Sequence, residues 1–172
     1  MPFVGEKRRA AHKSAIDAAV KAGVERIVYT SIVGAGTEGI DAYEVNDHIW
    51  TEGYIKSQPV HYLIMRNSQY AEAMVASFLE AFEKQGGVLT NNMGDGKMAF
   101  ISRDDCAEAA AYAAMSDWQD RVVNVNGSEL MTIARFLEIA SSVTGKKVTY
   151  KYVTDEENYA QFDAIGVPRT TE

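Results

Sequence analysis

Two hydrophobic periods alternate along the chain. Ala11, Ala15, Ile16, Ala19 and Val20 recur at three- and four-residue spacing, with Lys7, Arg8, Lys13, Asp17 and Lys21 on the other face. That pattern predicts an amphipathic helix from Glu6 to Ala22, with Gly23 placed as its left-handed stop. Residues 26–33 then carry apolar side chains on both faces, at Ile27, Val28, Ile32 and Val33. A strand reads this way when a parallel sheet is covered on both sides. A glycine-rich loop spans residues 34–39. A second helix is predicted from Asn46 or Asp47 to Lys56, broken by Gln58-Pro59. The next strand runs from Val60 to Arg66. A helix over 70–84 places Met74, Phe78, Leu79 and Phe82 on its apolar face and stops at Gly86-Gly87.

Beyond residue 86 the elements shorten. Strands are predicted at 87–91 and 97–101 around a Gly94-Asp95-Gly96 turn. A helix follows from Arg103 to Met115, with Ser102 as a candidate N-cap, and then a strand from Arg121 to Val125. Thr132 caps a helix over 133–143 that Gly145 closes. A half-exposed strand over 147–153, a helix opened by Thr154 and ending before Gly166, and a loose tail over 169–172 complete the chain. Helix-strand-helix-strand order predicts an α/β fold with a doubly wound parallel sheet. Residues 1–86 read as the C-terminal half of a Rossmann-like dinucleotide-binding domain. Residues 87–172 read as a small α+β substrate region packed with it as one unit. Two long parallel strands do not make a stable sheet by themselves. Their open edges call for other local strands, a second copy, or a missing N-terminal segment.

Composition narrows the partners. Of 172 residues, 47% are apolar, which fits a folded core, and the formal net charge of -7 disfavours contact with phosphate backbones. Nucleic acid is therefore not expected as a partner. No apolar run reaches the ~20 residues of a membrane span. Met1 to Arg9 has no apolar stretch of the signal-peptide kind. Cys106 is the single cysteine, so no intramolecular disulfide or cysteine-rich metal site is expected. A cytoplasmic setting and a small-molecule substrate are the expectation.

Candidate chemistry gathers at the carboxyl ends of the two strands, where open α/β sheets bind ligands. Thr30 and Ser31 end the first strand, and their hydroxyls suit a ribose or a carbonyl; a loop or cap hydrogen bond is the competing reading. Asn67, with Ser68 and Gln69, ends the second, and its amide suits a nicotinamide carboxamide or a substrate oxygen; a helix cap is the alternative. Tyr70 suits a substrate cavity wall or plain packing. His48 is the general-acid candidate, because a histidine titrates near neutrality, against a surface or capping role. No histidine pair has metal spacing, so no metal is expected. Met65, Met74, Phe78, Phe82, Met93, Met98 and Phe100 read as core or as the wall of a flat cavity.

Tyr29-Thr30-Ser31, His48-Ile49-x-Thr51-Glu52, Arg66-Asn67 with Tyr70, and Gly94-Asp95-Gly96-Lys97 carry a resemblance. In that order and spacing the chain resembles the NmrA-like branch of the atypical short-chain dehydrogenases, and within it the quinone oxidoreductases and triphenylmethane reductases. The resemblance implies an NADP or NAD cofactor and hydride transfer to a quinone or similar conjugated acceptor. It places the Thr30-Ser31 strand end beside the nicotinamide; Asn67 is the further cofactor candidate, and Ser68 and Tyr70 are the candidates on the substrate side. It also implies a glycine-rich phosphate loop ahead of this sequence, so the chain reads as shortened at both ends. Gly53 stands where quinone-reductase relatives carry a lysine; Lys56, about one helical turn later, is the candidate replacement. The alternative is a non-catalytic dinucleotide-sensing regulator or an inactive fragment. A homo-oligomer or a missing N-terminal half is the expected structural partner.

Overall fold

The computed structural model describes residues 5–40 and 42–164, the side chains of Tyr43 and Phe162 excepted. They form two compact units interleaved in sequence: residues 5–68 with 104–125, and residues 69–103 with 126–164. Residue 86, the boundary expected from the sequence, lies inside the second unit, because the chain returns to the first sheet after it. The expected tail over 169–172 lies outside the described residues.

The first unit holds α1 (Glu6–Lys21), β1 (Arg26–Ile32), α2 (Tyr43–Lys56) and β2 (His61–Asn67). After an excursion through α3 (Ala71–Lys84), β3 (Val88–Asn91) and β4 (Lys97–Met98), the chain re-enters it in α4 (Arg103–Met115) and β5 (Arg121–Val125). The sheet is parallel, in the order β1-β2-β5, with Ile32 opposite Asn67 and Asn67 opposite Val125. A local strand, β5, thus supplies one of the neighbours the sequence called for. β2 is central, and its Leu63, Ile64 and Met65 are 0%, 0% and 3% exposed. Burying each such side chain contributes about 1.5–3 kcal/mol. β1 departs from the expectation: its apolar side chains are half-buried, and its buried residue is Ser31. Among the described residues it pairs only with β2.

Side chains alternate across the strands, so each face has its own cover. Leu63 and Met65 pack with Val28, Val123 and Val125 against Ala109, Ala110 and Ala113 of α4. The small alanines let the helix approach closely. Arg26, opening β1, donates to the carbonyls of Ala114, Ser116 and Trp118 at 2.6, 2.6 and 2.9 Å. It brings a cation to the negative end of α4, whose own last turn carries no basic residue. The opposite face lies under α2, and α1 packs on α2.

The second unit adds β6 (Met131–Thr132), α5 (Ile133–Thr144), β7 (Thr149–Tyr152) and α6 (Asp155–Ala164). β3 pairs with β7 in parallel, and β4 with β6 antiparallel. Thr132 accepts from the Arg135 N–H and Gly145 closes α5 at φ 70, as the sequence predicts. Thr154 and Glu157 exchange side chain-to-backbone bonds in a capping box at the start of α6. The expected strand over 97–101 stops at Met98. The backbone groups beyond it bond elsewhere: Ala99 accepts from Gly127, and Ile101 exchanges bonds with Gln69 and Ala71. Met74, Phe78 and Phe100 join Ala81, Leu89, Ile133, Leu137 and Val148 in one apolar core, with Met93 and Met98 packed on it. They belong to that core, and Met74 also lines a groove with Leu89 and Asn91; Phe82 is exposed, with the Lys146 ammonium 4.9 Å from its ring centre.

Candidate functional site

The inward stripe of α2 is polar. Asp47, His48, Thr51, Glu52 and Ile55 recur at the spacing of one helix face. Of these only Ile55 is apolar, while Ile49 on the outer side is 39% exposed. Helix and sheet meet there through charge and hydroxyl groups. Asp47, fully buried, accepts from Arg9 Nε and from the Gly5 N–H, both at 2.7 Å. Thr51 donates to the Asp47 carbonyl at 2.8 Å and is joined to His12 Nδ1 by a 2.9 Å hydrogen bond. Tyr54 donates to Asp17 at 2.5 Å. Residues 47, 51 and 54 thus form a polar ladder to α1.

Glu52 is the second centre, 3% exposed. Its carboxylate accepts Arg66 Nε at 2.9 Å and Nη2 at 2.7 Å, a bidentate pair, and the Ser31 hydroxyl at 2.7 Å. Lys56 adds its ammonium at 3.6 Å. Burial pushes the Glu52 carboxyl up. The bonds from Arg66 and Ser31 and the charges of Arg66 and Lys56 outweigh it, so the group titrates below its ordinary range.

Tyr29 and His48 share a 2.7 Å hydrogen bond, with the His12 ring edge-on to Tyr29 at 5.8 Å. Burial raises the Tyr29 phenol to about 12. Burial, then the neighbouring Arg8 and His12, lowers His48 to about 4. At neutral pH the His48 imidazole is therefore uncharged, with its Nδ1 engaged by Tyr29. The Lys56 ammonium stands between Glu52 and the Tyr62 ring, 5.9 Å from the ring centre. Tyr62 shares the sheet face of Arg66, opposite to that of Asn67.

The sheet sorts the remaining candidates. Thr30 is in register with Met65, and Asn67 with Ile32, so Thr30 and Asn67 share the α4 face at the carboxyl ends. Thr30 is exposed and Asn67 is buried. Ser31 points to the other face and into Glu52. The expected trio is thus divided between the two faces of the sheet. Ser68 is buried and donates its N–H to Val125, continuing the β2–β5 ladder. Tyr70 belongs to the second unit, where it bridges to Ile101 and carries the Arg103 guanidinium 4.4 Å from its ring centre.

Sequence reasoning missed Asp47, Glu52 and Arg66 as partners, along with His12, Tyr29 and Thr51. The signal was present. A helix whose polar residues keep the inward spacing while an isoleucine faces out has a polar contact to make. Among the described residues, no three His, Cys, Asp or Glu side chains group as a metal site, and no helix is long and apolar enough to cross a membrane.

The chain as a whole has counterparts among known proteins. The sequence profile of the NmrA-like family matches residues 4–171. The chain belongs to the NmrA-like family. This NmrA-like chain is 31% identical over 163 residues to quinone oxidoreductase 2 of Escherichia coli (strain K12), covering 94% of the chain and 56% of the relative. The crystal structure of an Escherichia coli NADPH-dependent quinone oxidoreductase complexed with NADPH superposes with a TM-score of 0.83 at 30% identity, covering 95% of this chain and 56% of that one. Citrobacter sp. triphenylmethane reductase complexed with NADP(H) gives a TM-score of 0.75 at 28% identity, covering 94% and 56%. The NmrA-like chain therefore spans little more than half the length of these relatives. The α/β sheet of this family member is of the Rossmann-like type.

Proposed function

We propose that this chain forms part of an NAD(P)H-dependent oxidoreductase that passes hydride to a quinone or a similar conjugated acceptor. The observation that carries the reading is the placement of Thr30 and Asn67 on one sheet face at the carboxyl ends of adjacent parallel strands. Dinucleotides bind beyond such strand ends. A hydroxyl and an amide there suit a ribose and a carboxamide, so the residues present fit NADP or NAD. The nicotinamide supplies the hydride when bound; the chain's part is to bind and orient it. Ser31 supports from the opposite face through Glu52, and Ser68 and Tyr70 are the substrate-side residues of the proposal. The test is NADPH consumption with a panel of quinones. Turnover that falls with Asn67→Leu supports the reading, and tight NADPH binding without turnover by any acceptor contradicts it.

A second reading has its own observations. Gly53 lacks the side chain that the family resemblance places there, His48 is neutral at pH 7, and Lys56 is paired with Glu52. A site that binds dinucleotide and donates no proton suits a redox-sensing regulator. The same experiment separates the two. Self-association also belongs to the proposal, since among the described residues β1 keeps an outer edge beside the groove lined by Ile16, Ile27 and Ile55. Sedimentation of a dimer supports it, and a stable folded monomer contradicts it. A reducing, cytoplasmic compartment suits the buried thiol of Cys106, the single cysteine of the sequence.

A further inference from the structure

We propose that the Glu52–Arg66 pair is a positioning device that holds the Gly34–Gly39 loop against the carboxyl end of β1, and that this loop forms one wall of the dinucleotide site. The second clause rests on the function proposed above; the first stands on geometry alone.

The loop leaves β1 and turns back at once. Its Val33 base donates to the carbonyl of Asn67 at 2.9 Å, and Ala35 and Thr37 donate to Ile32 and Gly34 at 3.3 and 2.9 Å. Ala35 is fully buried. Gly36 lies at φ +82, and a Cβ there would stand 3.0 Å from Arg66 Nη2. The guanidinium therefore lies directly beneath the loop backbone. It cannot drift, because Glu52 holds it by two nitrogens. Glu52 is in turn fixed by Ser31, at the end of the strand the loop leaves. One buried carboxylate thus joins β1, α2 and β2, and sets the height of the loop through Arg66. The loop's base is bonded to the residue that carries the candidate carboxamide anchor, so a displaced loop displaces that residue.

Charge at this place needs a reason other than stability. A buried ion pair adds little net stability over an apolar pair of similar volume, and its use is to fix geometry. The other face of the same strands is sealed with Leu63, Met65 and alanines. A bidentate fork is the directional contact of the two.

Two variants of the full chain test this. Arg66→Lys keeps the charge and loses the fork. The double variant Glu52→Gln with Arg66→Met removes both buried charges and leaves only Lys56, 37% exposed and so solvated, without its carboxylate; it therefore keeps the fold. Amide hydrogen exchange by NMR is the first readout, with NADPH titration and Tm beside it. Exchange at Ala35 and Thr37 should quicken about tenfold or more in both variants, with Leu63 and Val123 unchanged, as in a local opening. The NADPH dissociation constant should rise about tenfold while Tm of the double variant stays near wild type. Unchanged exchange at Ala35 and Thr37 overturns the proposal. So does a loosened loop with wild-type NADPH affinity. If the wild-type chain itself binds no NADPH, the functional reading fails, and exchange alone decides the positioning claim in the same way.

Discussion

The two faces of the β1-β2-β5 sheet solve the same packing problem with different materials. Under α4 the contact is apolar: Leu63, Met65 and Ala113, surrounded by Val28, Ala109, Ala110, Val123 and Val125. Under α2 it is mixed: Ile55 and Ile64 are fully buried, and beside them Ser31, Asp47, Thr51 and Glu52 are buried too, each with a hydrogen-bond partner. An apolar contact is non-directional and roughly proportional to area. A network of ion pairs specifies angles and distances, and becomes costly when one member is lost. The first face therefore holds the sheet together, and the second orients what stands at its carboxyl end.

The largest effect belongs to the apolar face. Leu63→Ala should cost about 3–5 kcal/mol in urea unfolding, by lost burial and a residual cavity. The cost should be the same at pH 5 and pH 7, since no titrating group is involved. A loss that changes with pH would break the distinction between the faces.

Next come the polar groups of the α2 face. Glu52→Ala leaves the Arg66 guanidinium without its carboxylate. Its side chain is 22% exposed, so water screens part of the cost, and about 3 kcal/mol is expected. Glu52→Gln combined with Arg66→Met should return to within about 1 kcal/mol of wild type. No second substitution of that kind rescues Leu63→Ala. If the double variant is as unstable as the single one, the pair is a packing element like its apolar counterpart.

A pH profile sharpens the contrast further. His48 binds its proton near pH 4 when folded and near its ordinary 6.5 when unfolded. Between those values the unfolded state holds more protons, so stability falls as pH falls from about 6.5 to about 4, and this contribution levels off below that. His12, also lowered, acts in the same direction. Glu52 is the depressed-carboxylate case: its contribution is intact above about 4.5 and is lost as pH falls through its lowered folded value. His48→Gln should flatten the profile between 6.5 and 4. An unchanged slope in that variant would mean that His48 is not held in the neutral state.

The smallest effect is expected at Lys56. Its side chain is 37% exposed and its ion pair with Glu52 is 3.6 Å long. Lys56→Ala should cost about 0.5 kcal/mol or less, and it should leave NADPH consumption unchanged. A collapse of turnover in Lys56→Ala would restore the catalytic role the sequence suggested for it.

What the sequence disclosed follows the same division. β2 and most of the apolar stripe of α3 were legible, because hydrophobic spacing reports burial directly. The caps at Thr132 and Thr154 were legible because their chemistry is local. Helix α2 was placed three or four residues late, and its inward face was read as landmarks instead of contacts. Periodicity cannot distinguish a buried Asp47 from a solvated one; its Arg9 and Gly5 partners lie 38 and 42 residues away. The site shows the same limit. Thr30, Ser31 and Asn67 were visible as strand ends, but period-two alternation places Ser31 on the other face. Its neighbour Glu52 appears only once the helix is docked. The neutral state of His48 likewise depends on burial that no local pattern records.

The central claim is that the Thr30–Asn67 face receives the dinucleotide while the Ser31–Glu52 face supports it. Titration of NADPH, followed by nicotinamide fluorescence, into wild type, Asn67→Leu and Ser31→Ala tests it most directly. Asn67→Leu should lose about tenfold or more in affinity, as expected when a polar anchor becomes apolar. Ser31→Ala, which keeps the Glu52–Arg66 fork, should lose about threefold at most, the effect of one supporting hydrogen bond. Equal losses in both variants, or a greater loss in Ser31→Ala, would contradict the assignment of the two faces.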